Sequence, residues 1–138
     1  MKYLLNTDVL SETRRPRGDE GVKSWLSSVP AGELYLSALV LGEVRRGVER
    51  LKRCDPVQAE TYEAWLDAVL CDYADRILPV DGEVAEEWGR MRVPDPIPIV
   101  DGLLAATAKV RGMTFVTRNT ADVARTGVRL LNPFGTGR

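Results

Sequence analysis

Leu34-Tyr35-Leu36-Ser37-Ala38-Leu39-Val40-Leu41-Gly42-Glu43-Val44-Arg45-Arg46-Gly47 is the stretch on which the fold turns. Leu34 to Leu36 form a short apolar run of the kind that makes a buried strand, and Ser37 offers a side-chain oxygen to cap a following helix. Val40, Val44 and Val48 recur at helical spacing, which predicts a helix to about Leu51 with that face inward. Glu43 is the exception in this run. An acid flanked by Val40, Leu41 and Val44 either has a partner, for which Arg46 three residues on is available, or stands over a site.

The same strand-to-helix pattern recurs on both sides. Tyr3-Leu4-Leu5 reads as a buried strand ending at Asn6-Thr7-Asp8, residues that favour turns and helix starts, with Asp8 a natural cap. Arg14-Arg15-Pro16-Arg17-Gly18 is a loop, and Val22, Trp25, Leu26 and Val29 are one face of a helix. Asp55-Pro56-Val57-Gln58 has the cap, first-turn proline and glutamine of a capping box, opening a helix whose apolar stripe is Tyr62, Trp65, Leu66, Val69, Leu70 and Tyr73. Ile77 to Val80 is a third strand. Asp81 caps a helix with Val84 and Trp88 inward, Pro94 to Pro98 interrupts it, and a helix from about Ile99 to Arg111 stops at Gly112. Met113 to Thr117 gives a fourth strand and Val128 to Leu131 a fifth. This alternation predicts one α/β domain over residues 1–138, with a twisted, mostly parallel central sheet of about four to five strands flanked by helices. Ligands of such sheets bind beyond the carboxyl ends of the strands.

Composition narrows the chemistry. Lys plus Arg number 19 against 20 Asp plus Glu, for a net charge of -1, so a basic surface must be local. The chain has no His, which removes Ser-His-Asp and Cys-His catalysis and every His-ligated metal centre. Cys54 and Cys71 form neither a CxxC pair nor a disulfide framework and read as reduced structural thiols. Uncharged runs such as Leu34 to Gly42 fall far short of the ~20 apolar residues of a membrane span, and no leader is apparent at Met1 to Leu5, so a cytoplasmic protein is expected.

Most acids sit on polar helix faces or at caps. Asp8, Glu43, Asp101 and Asp122 do not. Each lies just past a strand or within the first turns of a helix at one end of the expected sheet, where all four can converge. Taken singly, Asp8 and Asp101 read equally as helix-terminus acids and Asp122 as a surface acid. Taken together, clustered carboxylates call for a cation, and oxygen ligands without His or Cys select Mg²⁺ or Mn²⁺. A carboxylate-held ion of that kind suits phosphodiester cleavage or phosphoryl transfer.

Leu4-Leu5-Asn6-Thr7-Asp8-Val9-Leu10-Ser11-Glu12, the stretch from Leu34 to Gly47, Arg76-Ile77-Leu78-Pro79-Val80-Asp81, Ile99 to Ala108, Thr114 to Asn119 and Asn132-Pro133-Phe134 together resemble PIN-domain ribonucleases. Within them the resemblance is to the VapC and FitB branch of toxin-antitoxin systems. It implies a Mg²⁺- or Mn²⁺-dependent endoribonuclease, dimeric, held inactive by a small VapB-like antitoxin in a heterotetramer or larger assembly, with DNA bound only through that antitoxin and no membrane partner. Carried over by position, Glu43 matches the acid of the second motif and Asp101 that of the third, while Asn119 and Asp122 both lie where a fourth group is supplied. Asp8, Glu43, Asp101 and Asp122 are thus the expected catalytic acids, with Asn6, Asp8, Asp101 and Asp122 toward the metal. Thr7, Ser37, Thr117 and Asn119 match positions that orient carboxylates or waters. The first motif departs from the branch, which ends its strand Asp-Thr-Asn where this chain has Asn6-Thr7-Asp8. With acid and amide exchanged, Asp8 is expected to supply the charge and Asn6 a neutral oxygen.

Arg14, Arg15, Arg46 and Arg118, with Arg17 and Arg45 nearby, are candidate RNA contacts around an acidic centre. A groove between the helix of Trp25 and Leu26 and the helix face of Val44 and Val48 is the expected antitoxin seat. Two other functions compete. One is a weakened PIN domain that acts mainly by binding antitoxin or RNA. The other is a Mg²⁺-binding phosphoacceptor domain, which fits less well because Arg118 stands where such domains place a lysine.

Overall fold

In the computed structural model, residues 1–135 are described, so the end of the expected 1–138 domain lies outside the described residues. Five short strands, β1 (Tyr3–Leu5), β2 (Leu34–Ser37), β3 (Ile77–Leu78), β4 (Thr114–Val116) and β5 (Leu130–Leu131), form a sheet in the order β3-β2-β1-β4-β5. Every strand pair is parallel. The helices are α1 (Thr7–Ser11), α2 (Glu20–Ser28), α3 (Ala38–Cys54), α4 (Pro56–Asp72), α5 (Gly82–Met91), α6 (Ile99–Arg111) and α7 (Thr120–Val123). Short 3-10 turns lie at Glu12–Arg14, Ala31–Glu33 and Ala124–Thr126. Among the described residues no helix is long and apolar enough to cross a membrane.

The α/β alternation holds, and the caps act as the residues predict. Ser37 Oγ accepts the Leu39 N–H at 3.1 Å, and Asp81 Oδ1 accepts the Val84 N–H at 3.0 Å. Gly112 ends α6 in the left-handed region, φ 69°, where a Cβ would be strained. Asp55 Oδ1 accepts the Gln58 N–H at 3.2 Å, but the return bond from the Gln58 side chain is not formed among the described residues. The outer strands are shorter than expected, because β3 and β5 each have one neighbour and pair over only two residues.

The core lies on both sheet faces. Leu4, Leu5, Leu36, Phe115 and Val116 are buried from the strands, and Val40, Val44 and Val48 from α3. Each such valine contributes about 1.5–3 kcal/mol by leaving water. This burial corrects the groove expectation: Val44 and Val48 are core residues, and Trp25 stands edge-on to Tyr3 with ring centroids 5.0 Å apart. Leu70, expected in the α4 stripe, is 38% exposed.

Strand order is what creates a site. The chain lays β1, β2 and β3 outward on one side, then crosses back to place β4 and β5 on the other, so its direction of travel reverses between β1 and β4. Such a reversal opens a crevice at the carboxyl edge of the sheet. α1, α3 and α7 start at that edge, and α6, which leads back to the start of β4, brings its first turn there too.

Candidate functional site

β1 and β4 are in register through Leu5 and Val116, and the Asn6 N–H continues the ladder to the Val116 carbonyl at 2.9 Å. The residues that follow are locked together around one hydroxyl. Thr117 Oγ1 accepts from Asn6 Nδ2 and from the Asn119 N–H, both at 3.0 Å, and donates its proton to Asp8 Oδ2 at 3.4 Å. Asp8 Oδ2 also accepts the Arg118 N–H at 3.0 Å. Its other oxygen, Oδ1, is buried with no partner. Leaving such an acceptor unsatisfied costs about 1–3 kcal/mol, which a cation or water bound at this oxygen would recover. Burial pushes the Asp8 carboxyl above its ordinary range, against the pull of the Arg118 and Val9 backbone N–H groups, the Thr117 hydroxyl and the Arg118 charge.

Asp8 does not cap α1 as its position allowed. Asn6 is the cap residue, with its Oδ1 accepting the Thr7 N–H at 2.8 Å. Its amide nitrogen is committed to Thr117, which leaves Asn6 the second lone pair of its oxygen to offer.

Glu43 is exposed two turns into α3, and the Thr7 hydroxyl donates to its Oε1. Arg46 does not pair with it. Among the described residues none of Asp8, Glu43, Asp101 and Asp122 is in an ion pair, although the other acids of α3, α4 and α5 make several. Asp101, in the first turn of α6, has a carboxyl raised first by burial and then by the charges of Asp122, Glu43 and Asp8. The four acids therefore act on one locality. Asp122, exposed in α7, is the first of these like-charge neighbours, whereas Asn119 is tied to the site through its N–H on Thr117. Ser37 is buried, and its hydroxyl caps α3.

Among the described residues no three Asp, Glu or Cys side chains already stand as a compact metal-binding group. The all-oxygen donor set of the four acids, the unpartnered Asp8 Oδ1 and the like charges that face Asp101 fit a hard cation that keeps several of its waters.

The arginines divide. Arg45 bridges to Glu63 at 2.7 Å and Glu49 at 3.4 Å, tying α3 to α4. Arg15 pairs with Glu12 at 3.6 Å, and Arg46 is exposed. Arg14 lies over the Tyr62 ring at 4.3 Å and Arg118 over Phe134 at 4.0 Å. Arg118 thus serves the site through its backbone N–H, a role the sequence reading missed. The available signal was its place directly after a strand at the sheet edge.

A family model described as the PIN domain matches residues 3–128. Toxin FitB of Neisseria gonorrhoeae is 35% identical over 136 residues, covering 95% of this chain and 97% of that protein. VapC ribonuclease Y4jK of Sinorhizobium fredii is 29% identical over 139 residues, covering 95% and 96%. A solved structure of FitAB bound to an IR36 DNA fragment contains a chain with 36% identity and a TM-score of 0.84, covering 99% of this chain and 98% of that one. Strand order, acidic crevice and matched span agree: this chain belongs to the PIN-domain family.

Proposed function

We propose that this protein is a divalent-metal-dependent endoribonuclease and the toxin of a toxin-antitoxin pair. The observation that carries the chemistry is the set of four carboxylates at the carboxyl edge of the sheet, none of them in an ion pair among the described residues and with Asp8 Oδ1 unpartnered. Asp8, Asp101 and Asp122, with the Asn6 oxygen, would hold Mg²⁺ or Mn²⁺. When bound, such an ion would supply a nucleophilic water at neutral pH and charge neutralisation on the scissile phosphate. Glu43, whose Oε1 accepts the Thr7 hydroxyl, would take the proton of the attacking water. Thr117 and Arg118 hold Asp8 in one orientation and so set the depth of the site.

Likeness to Toxin FitB and to a VapC ribonuclease supports the toxin reading, and the FitAB–DNA structure supports a partner that brings DNA contact. A VapB-like antitoxin, a homodimeric toxin, a heterotetrameric or larger complex and a cytoplasmic setting follow from that reading. The phosphoacceptor alternative is set aside by family membership. A weakened nuclease remains as a second reading, favoured by one observation: the buried residue at position 6 is an amide. The test is RNA cleavage by the purified chain free of any partner, with Mg²⁺ or Mn²⁺ and with chelator. Metal-dependent cleavage lost in Glu43→Gln and Asp101→Asn is expected, and cleavage that survives chelator or both substitutions overturns the assignment.

A further inference from the structure

We propose that the cleft between the Glu12–Arg14 turn and α4 stacks one unpaired base of the RNA while the adjoining phosphodiester lies over the four acids. This rests on the nuclease reading. The cleft holds about 400 Å³ and is lined by Arg14, Arg15, Gln58, Thr61, Tyr62 and Trp65 among others, within the range of small-ligand sites. Two arginines and no carboxylate line it among the described residues. Trp65 and Tyr62 lie 5.6 Å apart at 56°, and the Trp65 Nε1–H donates to Thr13 Oγ1 at 3.1 Å, which fixes the indole. Aromatic rings beside guanidinium groups are the surfaces on which unpaired bases stack, and Gln58 and Thr61 add an amide and a hydroxyl for a base edge.

Position connects the cleft to the acids. A Cβ at Gly47 would lie 3.3 Å from the Tyr62 hydroxyl, so the missing side chain is what lets that ring sit against α3. Gly47 follows Glu43 by one turn on the same helix face, a displacement of about 6 Å. The opposite wall is also shared, since Thr7 holds Glu43 and the same segment runs on to Thr13 and Arg14. The arginine loop is preorganised: Lys23 Nζ donates to the Arg15 and Pro16 carbonyls at 3.0 and 3.1 Å, and the Asp19 N–H donates to Glu12 Oε1 at 2.8 Å.

The test uses a fluorescein-labelled unpaired pentaribonucleotide with the full chain carrying Asp101→Asn, so that binding is read apart from cleavage. Trp65→Leu and Tyr62→Leu should each weaken binding about tenfold, the loss of one stack, while Trp65→Phe retains most of it. In the cleaving protein the same changes should raise KM more than they lower kcat. Unchanged affinity and KM in variants that keep their circular dichroism and thermal midpoint would overturn the subsite, as would an Asp101→Asn chain that binds no oligonucleotide. A loss of affinity for a partner protein with RNA binding intact would also overturn it and make the cleft a protein-docking surface. If the parent binds RNA through these rings but does not cut it, the nuclease reading fails and the subsite stands.

Discussion

Asn6→Asp puts the local logic of the site to its hardest test. Thr117 has one hydroxyl proton and gives it to Asp8, so the group at position 6 must be a donor, and the Asn6 amide is one. A carboxylate in its place faces the Thr117 oxygen with no proton between them, at a cost of about 1–3 kcal/mol. It also adds a charge about 6 Å from that of Asp8, worth about 3 kcal/mol at an effective dielectric near 20. Without metal, Asn6→Asp should therefore lose about 4–6 kcal/mol, a large share of the ~5–15 kcal/mol of an ordinary domain. Adding Asp8→Asn removes the charge pair and frees the Thr117 proton for position 6, so the double variant should return close to the parent. Urea unfolding of the parent, both single variants and the double variant in chelator gives the coupling, expected at about 4–6 kcal/mol. Mn²⁺ titration then follows, in which Asn6→Asp should be stabilised more than the parent because the ion neutralises the added charge. A coupling below about 0.5 kcal/mol would show that Thr117 does not link the two positions, and Asp8 would then be only a helix-start acid.

Asp101→Asn should raise metal-free stability by about 1 kcal/mol through relief of like-charge repulsion and abolish metal-dependent cleavage, read by thermal unfolding and an RNA assay. The Asp8 and Asp101 carboxyls lie above the ordinary value of 3.8, so the folded protein keeps protons that the unfolded chain releases. Their contribution to metal-free stability is most favourable below 3.8 and declines as pH rises through the raised folded values. The stability gain of Asp101→Asn should accordingly vanish at low pH, and a gain constant with pH would refute the shift. Gly18→Ala should cost about 1–3 kcal/mol in urea unfolding, because its Cβ would meet the Glu12 carbonyl. Glu63→Gln should leave the urea midpoint nearly unchanged, since its pairs with Arg45 and Lys52 lie at the solvent-screened surface.

What could be read from the sequence was whatever depends on near neighbours. The spacing of Val40, Val44 and Val48 marked a buried helix face, and Ser37 and Asp81 announced helix starts, because capping is decided within three residues. The four acids were legible as misfits, and their placement at element ends carried them to one edge of the sheet. The lengths of β3 and β5 were not legible, because a strand ends where its partner does. The resemblance pointed to Thr117 as an orienting hydroxyl, but its partners were not legible: Asn6 and Thr117 meet across 111 positions, and the Arg118 contact uses a backbone N–H that every residue but proline has. Tyr62 and Trp65 fitted an apolar stripe so well that their share in a cleft with Arg14 stayed hidden.

The clasp between Asp8 and the Thr117–Arg118 segment also bears on the order in which a ribosome makes this molecule. The first acid emerges almost at once, but the hydroxyl and the N–H that orient it come 109 and 110 positions later. Synthesis runs from the amino terminus, and a contact so distant along the chain closes only after the intervening segments have folded. A nascent chain therefore displays Asp8 long before it holds it in place. On the proposed function, RNA cleavage would therefore wait until the fourth strand has paired with the first.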